Sequence, residues 1–437
     1  MAARVAHIAQ EDCRLPPRAA SLGSITRVVH ELTVRSRRRF DTTVVSTRWR
    51  GDAPEEDSDG LRYVRIPAGL DAALLQRYFR LRNRLARRLG VAERFYAASP
   101  LYYGRYVRRI ARRLARAAPD IVHLHNVSQF VPPLRRMLPR ARLVLQMHCE
   151  WLVELPRAAI ASRLASVDLV LGVSRHIAGQ IVDRFPEVSP RCRVLPNGVD
   201  PDAFPPRERV LATRAPAVAA LRARYGIRGP VVLFVGRLSS EKGVHVLLEA
   251  FGRVRERVPA ATCLLVGPDW GPLRKVRTPG AEPFGRAIAA LDRGYMERLR
   301  RLAAPHGARV AFTGAVPNGE LALYHALADV VAAPSLLESF GIPAIEAGAA
   351  GLPVVASATG GLAETIVPGR TGILVPPGDA GALAAALDAL LGDPALRRIL
   401  GDAARERVLA HYTWDHVADL LVRYYEELLE ARTGRAA

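Results

Sequence analysis

Short runs of apolar residues alternate with longer amphipathic stretches along almost the whole chain. The runs are rich in Val, Ile and Leu and have the length of a buried strand, as at residues 231–235. The stretches between them place apolar residues at helical spacing, as at residues 24–37. Such alternation is typical of βαβ units, in which helices cover a parallel sheet. The pattern therefore predicts an α/β protein with doubly wound, Rossmann-like sheets.

The pattern occurs twice along the chain. In the first half, strands are predicted at residues 5–9, 42–46, 63–66, 121–125, 143–147, 169–173 and 193–195. In the second half, they are predicted at residues 231–235, 263–266, 310–313, 330–333, 354–356 and 373–375. Helices are predicted at residues 24–37, 74–89, 103–117, 217–225, 244–257, 295–304, 320–328, 343–350, 382–391 and 414–431. Residues 51–60 and 270–285 are predicted to be loops.

A proline-rich stretch at residues 196–207 separates the two halves and indicates a linker. We therefore predict two Rossmann-like domains, residues 1–197 and residues 198–411, facing each other across a cleft. In open α/β sheets, ligands bind beyond the carboxyl ends of the strands. The functional residues should therefore follow directly after strands.

The charge of the chain is strongly positive. The 437 residues carry a formal net charge of +21, and Lys242 and Lys275 are the only lysines among 63 basic residues. Residues 61–116 hold fifteen arginines and two acids. Such a segment can attract anionic lipid or a phosphorylated acceptor. Two interpretations stay open, a solvated helical surface and peripheral contact with an anionic membrane, and no nucleic acid partner is expected.

The sequence also argues against several classes of protein. No apolar run approaches the roughly 20 residues of a membrane span. The N-terminus leads into a strand without the features of a signal peptide, so a cytoplasmic location is expected, with the inner membrane face as a site of peripheral contact. The four cysteines lie far apart without a CxxC pair, which speaks against a zinc site or a disulfide framework.

The first group of candidate residues follows the predicted strand 231–235. Gly236 allows a tight turn, Arg237 can hold two phosphate oxygens, and Lys242 supplies a compact positive charge. The helix that starts after this loop adds a partial positive charge. The loop therefore suits a diphosphate, although a helix-capping loop with exposed charges is the alternative.

A second group follows the predicted strand 330–333. Glu338 and Glu346 can accept hydrogen bonds from sugar and ribose hydroxyls, and an unpaired Glu346 among small apolar residues would be costly. The backbone between them offers amide groups at the start of a helix, at Ser339, Phe340, Gly341 and Ile342. Two adjacent glycines, Gly360 and Gly361, follow the next strand and let backbone amides approach a ligand.

Candidate residues in the first half also follow strands. Gly23 opens a helix after the first strand, and the loop before it lacks the GxGxxG pattern of a nicotinamide site. His148 ends the strand 143–147, where a neutral imidazole could donate a hydrogen bond to a sugar or to an acceptor. His123 and His125 face the same side of another strand. A metal site there would lack a third ligand, so these two histidines are predicted to line the cleft or the core.

Several of these segments together resemble the family 4 retaining glycosyltransferases of the GT-B fold. The matching segments, in order, are PNGVD at 196–200, GRLSSEKG at 236–243, ESFGIPAIE at 338–346, GLPVVAS at 351–357, GGLAET at 360–365 and GILV at 372–375. One position departs from the family, which often has two adjacent glycines where this chain has Leu22 and Gly23. The resemblance also implies that a final helix, at about residues 412–437, packs back on the first domain.

The resemblance implies a role for each candidate residue. Arg237 and Lys242 would hold the donor diphosphate, and Glu338 would contact the donor sugar near the amides of Phe340 and Gly341. The remaining donor contacts would be Glu346 to the ribose, Gly23 to the distal phosphate and Val316 to the base. His148 would lie beside the reacting carbon. The donor is a substrate, so no cofactor and no metal are expected.

The predicted activity is transfer of a sugar from a nucleoside diphosphate donor to a hydroxyl, with retention of anomeric configuration. No DxD motif follows a suitable strand, so Arg237, Lys242 and helix ends would meet the charge of the leaving group. A UDP-linked sugar is the favoured donor, and an envelope glycan, a lipid or a small natural product is the acceptor. The alternatives are a sugar-nucleotide epimerase of the same fold and a non-catalytic binder of sugar nucleotides.

Overall fold

In a computed structural model, the chain forms two compact units. One takes in Met1–Pro196 and the segment from Val417 onward, and the other comprises the described residues between Asn197 and His416. The structure describes residues 2–10, 13–17, 23–69, 71, 77–78, 81–82, 84–85, 103–269 and 294–433. The predicted loop 270–285 and most of the predicted helix 74–89 lie outside the described residues.

The first unit is built on an eight-stranded sheet in the order β3-β4-β2-β1-β5-β6-β7-β8. Its strands are β1 Arg4–Ile8, β2 Asp41–Thr47, β3 Glu55–Ser58, β4 Leu61–Ile66, β5 Ile121–His125, β6 Arg142–Met147, β7 Leu169–Gly172 and β8 Cys192–Val194. Neighbouring strands in this sheet are parallel, apart from β3, which pairs antiparallel with β4. The strand order changes direction between β1 and β5, so their carboxyl ends flank a crevice of the kind in which ligands bind.

Strand β3 corrects the prediction of a loop at residues 51–60. Its acidic side chains point to arginines of neighbouring elements, with Glu55 2.8 Å from Arg62 and 2.7 Å from Arg113. Glu56 lies 2.5 Å from the buried guanidinium of Arg65. These ion pairs offset the low strand propensity of the acidic residues, and an edge strand tolerates charge.

The second unit is built on a six-stranded parallel sheet in the order β11-β10-β9-β12-β13-β14. Its strands are β9 Val231–Val235, β10 Thr262–Val266, β11 Val310–Gly314, β12 Val330–Ala333, β13 Val354–Ser357 and β14 Gly372–Val375. The strand order changes direction between β9 and β12. The loops that follow these two strands carry most of the candidate donor-binding residues, which lie therefore at the point where α/β sheets bind ligands.

Helices cover both sheets. Those of the first unit are Ser24–Ser36, Gly104–Ala117, Val131–Met137, Trp151–Glu154, Arg157–Leu164 and Arg175–Arg184. Those of the second are Arg207–Arg224, Val244–Arg257, Tyr295–Ala303, Leu321–Leu327, Ile342–Ala349, Leu362–Thr365, Ala380–Gly392 and Pro394–His411. None of the described helices is both long and apolar enough to cross a bilayer.

The first helix of the second unit differs from its prediction at residues 217–225. It starts at Arg207, immediately after Pro206, and it is kinked where Arg214 leaves the helical conformation. The kink comes two residues before Pro216, because a proline inside a helix removes one backbone hydrogen bond and crowds the preceding turn. The sequence pattern showed only the regular part that follows the kink.

The last helix, Trp414–Thr433, joins the first unit from Val417 onward. The Tyr424 hydroxyl donates to the carbonyl oxygen of Val194 at 3.1 Å, and Arg39 pairs with Glu426 at 2.8 Å. The side chain of Tyr425 is fully buried in the first unit. This helix therefore contributes core side chains to a sheet whose strands all lie in the first half of the chain.

Candidate active site

The loops after β9 and β12 are joined by backbone contacts. The backbone N–H of Leu336 donates to the carbonyl oxygen of Glu241 at 2.8 Å. Gly243 has a positive φ of 65°, and a Cβ atom at this position would lie 2.0 Å from the carbonyl oxygen of Pro334. Only glycine therefore fits where the two loops meet.

This contact places Lys242 beside Glu338. The Lys242 ammonium lies 2.8 Å from the Glu338 carboxylate, and the Ser335 hydroxyl donates to the same oxygen at 3.2 Å. Burial alone would raise the pKa of Glu338. The Lys242 charge and hydrogen bonds from Lys242, Ser335 and the backbone N–H of Phe340 outweigh burial, so the pKa lies below its ordinary value. Glu338 is therefore a carboxylate at neutral pH.

Arg237 stands on the same loop as Lys242 and is the more open of the two cations. Its side chain is 45% exposed, and its guanidinium lies 3.2 Å from the Glu241 carboxylate. The Ser239 hydroxyl donates to the same Glu241 oxygen at 2.6 Å. The Glu241 carboxylate therefore orients Arg237, and it is a contact that the sequence did not predict.

The glycine pair after β13 is packed against the residues that follow Glu338. The backbone N–H of Gly361 donates to the carbonyl oxygen of Glu338 at 2.9 Å. A Cβ atom on Gly361 would lie 2.3 Å from the Cα atom of Phe340, so a larger residue would push the two loops apart. Gly341 immediately precedes the helix Ile342–Ala349, next to Ser339 and Phe340. The structure thus brings the glycine pair Gly360 and Gly361 together with the segment from Glu338 to Gly341.

Three other predicted residues lie at different places. Glu346 is buried on the helix Ile342–Ala349, close enough to His325 for its charge to oppose the lowering of that histidine's pKa by burial. Val316 lies in the partly exposed loop after the edge strand β11. Gly23 belongs to the first unit, where it is exposed and precedes the helix Ser24–Ser36, while Leu22 lies outside the described residues.

His148 follows β6 in the first unit and is held from two sides. Its backbone N–H donates to the Asn126 side-chain oxygen at 2.7 Å, and its Nε2 lies 3.1 Å from Nδ1 of His125. Burial lowers the pKa of His148 to about 3, so the ring is neutral at physiological pH. Asn126 has a positive φ of 63°, a conformation that asparagine tolerates better than most residues.

Behind His148 lies a group of buried histidines that the sequence pattern only partly revealed. His123 and His125 lie in the core, and His7 of β1 joins them because it is directly paired with His123 in the sheet. Nitrogen atoms of these three rings lie within 4.8 Å of one another. The expectation that a third imidazole is lacking was therefore wrong. The adjacency of β1 and β5, which the sequence does not give, was the missing information.

Comparison with known proteins identifies the family. The model described as Glycosyl transferases group 1 matches residues 220–407, and the model described as Glycosyltransferase Family 4 matches residues 25–203. The GDP-mannose-dependent alpha-(1-6)-phosphatidylinositol monomannoside mannosyltransferase of Mycolicibacterium smegmatis is 32% identical over 382 residues, which cover 82% of each chain. The chain belongs to the family 4 glycosyltransferases. It is a hexosyltransferase that uses nucleotide sugars, and the comparisons give the epimerase alternative no support.

Solved structures place this family 4 glycosyltransferase in the GT-B fold. Sucrose-phosphate synthase from Thermosynechococcus elongatus is 25% identical, with a TM-score of 0.70 over 98% of this chain and 100% of that chain. Anabaena Alr3699/HepE in complex with UDP and glucose is 18% identical, with a TM-score of 0.69 over 97% of this chain and 99% of that chain. The predicted fold class is confirmed.

Proposed function

We propose that this glycosyltransferase binds the diphosphate of its donor at the loops after β9 and β12. The observation that carries this proposal is the ion pair of Lys242 and Glu338, with the Lys242 ammonium 2.8 Å from the carboxylate at the switch point of the second sheet. A half-enclosed cation interacts more strongly with phosphate than an exposed one, because less water screens it. Arg237 adds a second cation on the same loop.

The proposed reaction is a substitution at the anomeric carbon with retention. The bond between this carbon and the donor's phosphate oxygen breaks, and a bond to the acceptor oxygen forms on the same face. The departing diphosphate takes the acceptor's proton, and Arg237 and Lys242 stabilise the negative charge that develops on it. Glu338 would accept hydrogen bonds from donor hydroxyls, and Glu346 from the ribose. His148 would contact a substrate hydroxyl beside the reacting carbon.

The base of the donor separates two candidate functions. The family resemblance favours a UDP-linked hexose, such as UDP-glucose or UDP-N-acetylglucosamine. GDP-mannose is the second candidate, because the Mycolicibacterium smegmatis relative, which matches 82% of this chain, is named as GDP-mannose-dependent. The loop that would meet the base consists of Ala315, Val316 and Pro317. These side chains offer apolar contact only, so hydrogen bonds to either base would come from the backbone.

The acceptor is proposed to be a hydroxyl on an envelope glycan, a lipid or a small natural product. A lipid agrees with the arginine-rich segment 61–116 and with the phosphatidylinositol monomannoside that appears in the name of the same relative. A cytoplasmic protein that contacts the inner membrane face would reach such an acceptor. Arg62, Arg65 and Arg113 pair with Glu55 and Glu56, so lipid contact would fall to other arginines.

A donor screen tests the proposed function. The thermal midpoint is measured with UDP-glucose, UDP-N-acetylglucosamine and GDP-mannose, because a ligand that binds only the folded state raises it. Each stabilising donor is then incubated with candidate acceptors, and the products are identified by mass spectrometry. The anomeric configuration of the product follows from NMR. A folded protein that binds none of these nucleotide sugars would contradict the proposal.

A further inference from the structure

Five side chains of the first unit form a continuous hydrogen-bonded column that ends at His148. The other members are His7 of β1, His123 and His125 of β5, and Tyr425 of the last helix, all fully buried. Tyr425 Oη lies 2.6 Å from His123 Nδ1 and 3.4 Å from His7 Nε2. His7 Nδ1 lies 3.1 Å from His125 Nε2, and His125 Nδ1 lies 3.1 Å from His148 Nε2.

The geometry of the column is unlike that of a metal centre. The rings of His123 and His125 are stacked 4.3 Å apart with 17° between their planes, and those of His7 and His125 are inclined by 18°. The lone pair of an imidazole nitrogen lies in the plane of its ring. The stacked rings of His123 and His125 therefore cannot direct their lone pairs at one ion about 2.0–2.1 Å from each nitrogen, as a zinc site requires. Hydrogen bonds also engage both nitrogens of His7 and of His125.

Proton counting links the tautomers of the rings. Burial lowers the pKa of every histidine in the column, so each ring is neutral and carries one N–H and one bare nitrogen. His125 bonds to His7 through Nε2 and to His148 through Nδ1. If His125 donates from Nε2, its bare Nδ1 must accept a proton from His148 Nε2. If His125 donates from Nδ1, the directions of both bonds reverse.

The Tyr425 hydroxyl selects between these two arrangements. A hydroxyl donates shorter hydrogen bonds than an N–H group does, so the 2.6 Å contact with His123, which is much shorter than the 3.4 Å contact with His7, points to the phenol as its donor. The Tyr425 oxygen then faces His7 Nε2 with a lone pair. Two opposed lone pairs repel, so His7 carries its proton on Nε2 and accepts from His125 at Nδ1. His125 then donates from Nε2 and has a bare Nδ1. His148 therefore carries its proton on Nε2 and donates it to His125 Nδ1.

We propose that the Tyr425–His7–His125 column fixes His148 as the Nε2–H tautomer, so that its bare Nδ1 accepts a hydrogen bond from a substrate hydroxyl. His7, His125 and Tyr425 are then positioning residues that act through His148. His148 Nδ1 has no hydrogen-bond partner among the described residues, as an acceptor kept for a substrate would require. The direction is opposite to the donation that the sequence suggested. The role toward substrate rests on the proposed function, whereas the tautomer does not.

NMR of the full-length protein with 15N-labelled histidine tests the tautomer without any substrate. We expect His148, assigned from a His148→Gln spectrum, to show a protonated Nε2 and a bare Nδ1. In Tyr425→Phe the selecting hydroxyl is gone, and we expect signals of both tautomers. Tyr424→Phe is the matched control, because that neighbouring hydroxyl bonds to the Val194 carbonyl instead, and we expect the wild-type spectrum.

Turnover gives a second readout. With the tautomers equally populated, kcat of Tyr425→Phe should fall about twofold or more, because only molecules with a bare Nδ1 are competent. KM should change less, and Tyr424→Phe should match the wild type. Spectra recorded with UDP alone and then with UDP-glucose or GDP-mannose identify the source of the hydroxyl. If the His148 Nδ1 signal changes with the full donor but not with UDP alone, the hydroxyl belongs to the donor sugar. If the full donor causes no change, the hydroxyl belongs to the acceptor.

Three results would overturn the proposal: an Nδ1–H at His148 in the wild type, an unchanged tautomer in Tyr425→Phe, or a stoichiometric metal ion in the purified protein. The wild-type spectrum needs no variant to fold. It also separates this proposal from the proposed function, because an Nε2–H tautomer in a protein that transfers no sugar would contradict only the latter.

Discussion

The ammonium of Lys242 and the carboxylate of Glu338 lie 2.8 Å apart on loops that follow the adjacent strands β9 and β12. The side chains are 19% and 14% exposed, so water screens the pair only in part. A donor diphosphate at this site would share the Lys242 ammonium with Glu338, while Glu338 keeps lone pairs for sugar hydroxyls. Each partner can therefore be tested separately.

Removal of Lys242 tests the stabilisation of the leaving group. We expect Lys242→Ala to reduce turnover on the order of 10²–10³-fold, the range found when one donor to a developing negative charge is lost. Arg257→Ala is the control, because Arg257 is an exposed arginine of the same unit that pairs with Asp388, and its turnover should match the wild type. Initial rates and circular dichroism are measured on both. A folded Lys242→Ala protein with normal rates would refute the role of Lys242.

Glu338 makes the unfolding free energy depend on pH in the acid range. Burial alone would raise its pKa, but Lys242 and the hydrogen bonds hold it below the unfolded value of 4.5. The stability that Glu338 contributes is therefore complete above that value and is lost as the pH falls below it. We expect Glu338→Gln to lose less stability than the wild type between neutral pH and about pH 3. Urea unfolding at several pH values measures this, and parallel curves would contradict it.

Gly243 tests the contact between the two loops. Alanine at this position would place its Cβ atom 2.0 Å from the Pro334 carbonyl oxygen, and φ is +65°. Gly369 is a matched control, because its φ is +70° but no atom lies within 4 Å of the position of its Cβ. We expect Gly243→Ala to cost about 1–3 kcal/mol more in unfolding free energy than Gly369→Ala. Equal losses would show that the loops separate without cost.

The histidine column makes the first unit sensitive to weak acid. In the unfolded chain each histidine binds a proton near its ordinary pKa of 6.5, whereas burial lowers the pKa of His7 and His148 to about 3. Between these values the unfolded state binds more protons, so stability falls as the pH falls below about 6.5, by up to about 1.4 kcal/mol per pH unit for each histidine. His148→Gln should reduce the change of unfolding free energy per pH unit by the contribution of one histidine. An unchanged slope would contradict the neutral state of His148.

Lipid contact is tested on the helix Gly104–Ala117. Arg108 and Arg112 are exposed and one turn apart, and we expect the double substitution to glutamate to weaken sedimentation with anionic vesicles. The double variant of Arg214 and Arg398, two exposed arginines of the second unit, has the same change in net charge and should bind like the wild type. Binding of the wild type should fall as salt increases. Equal losses in both variants would indicate attraction by net charge alone.

The parallel sheets could be predicted because their strands are buried on both faces and appear as continuous apolar runs. Each of the thirteen predicted strands coincides with an observed strand to within two residues at either end. The edge strand Glu55–Ser58 could not be found in this way, because its acidic residues are stabilised by Arg62, Arg65 and Arg113. Those partners become neighbours only when the sheet forms.

The candidate site shows the same division between local and distant information. Lys242 and Glu338 could be proposed because each follows a strand within a recognisable loop, but their ion pair depends on the adjacency of β9 and β12. The phenol of Tyr425 was not predicted, because it lies more than three hundred residues along the chain from His123, the ring that it contacts. The helical spacing of the sequence treats Tyr425 as an apolar position. It does not predict which group the Tyr425 hydroxyl contacts.

The helix that brings Tyr425 into the first unit affects the order in which the chain can fold during synthesis. The second unit needs no described residue beyond His416, whereas the sheet of the first unit, although made earlier, waits for Val417 and the residues after it. Until then, the imidazoles of His7 and His123 lack the Tyr425 hydroxyl as a hydrogen-bond partner. The surface that the last helix will cover stays open to water. The half of the protein that leaves the ribosome first is thus the half that is completed last.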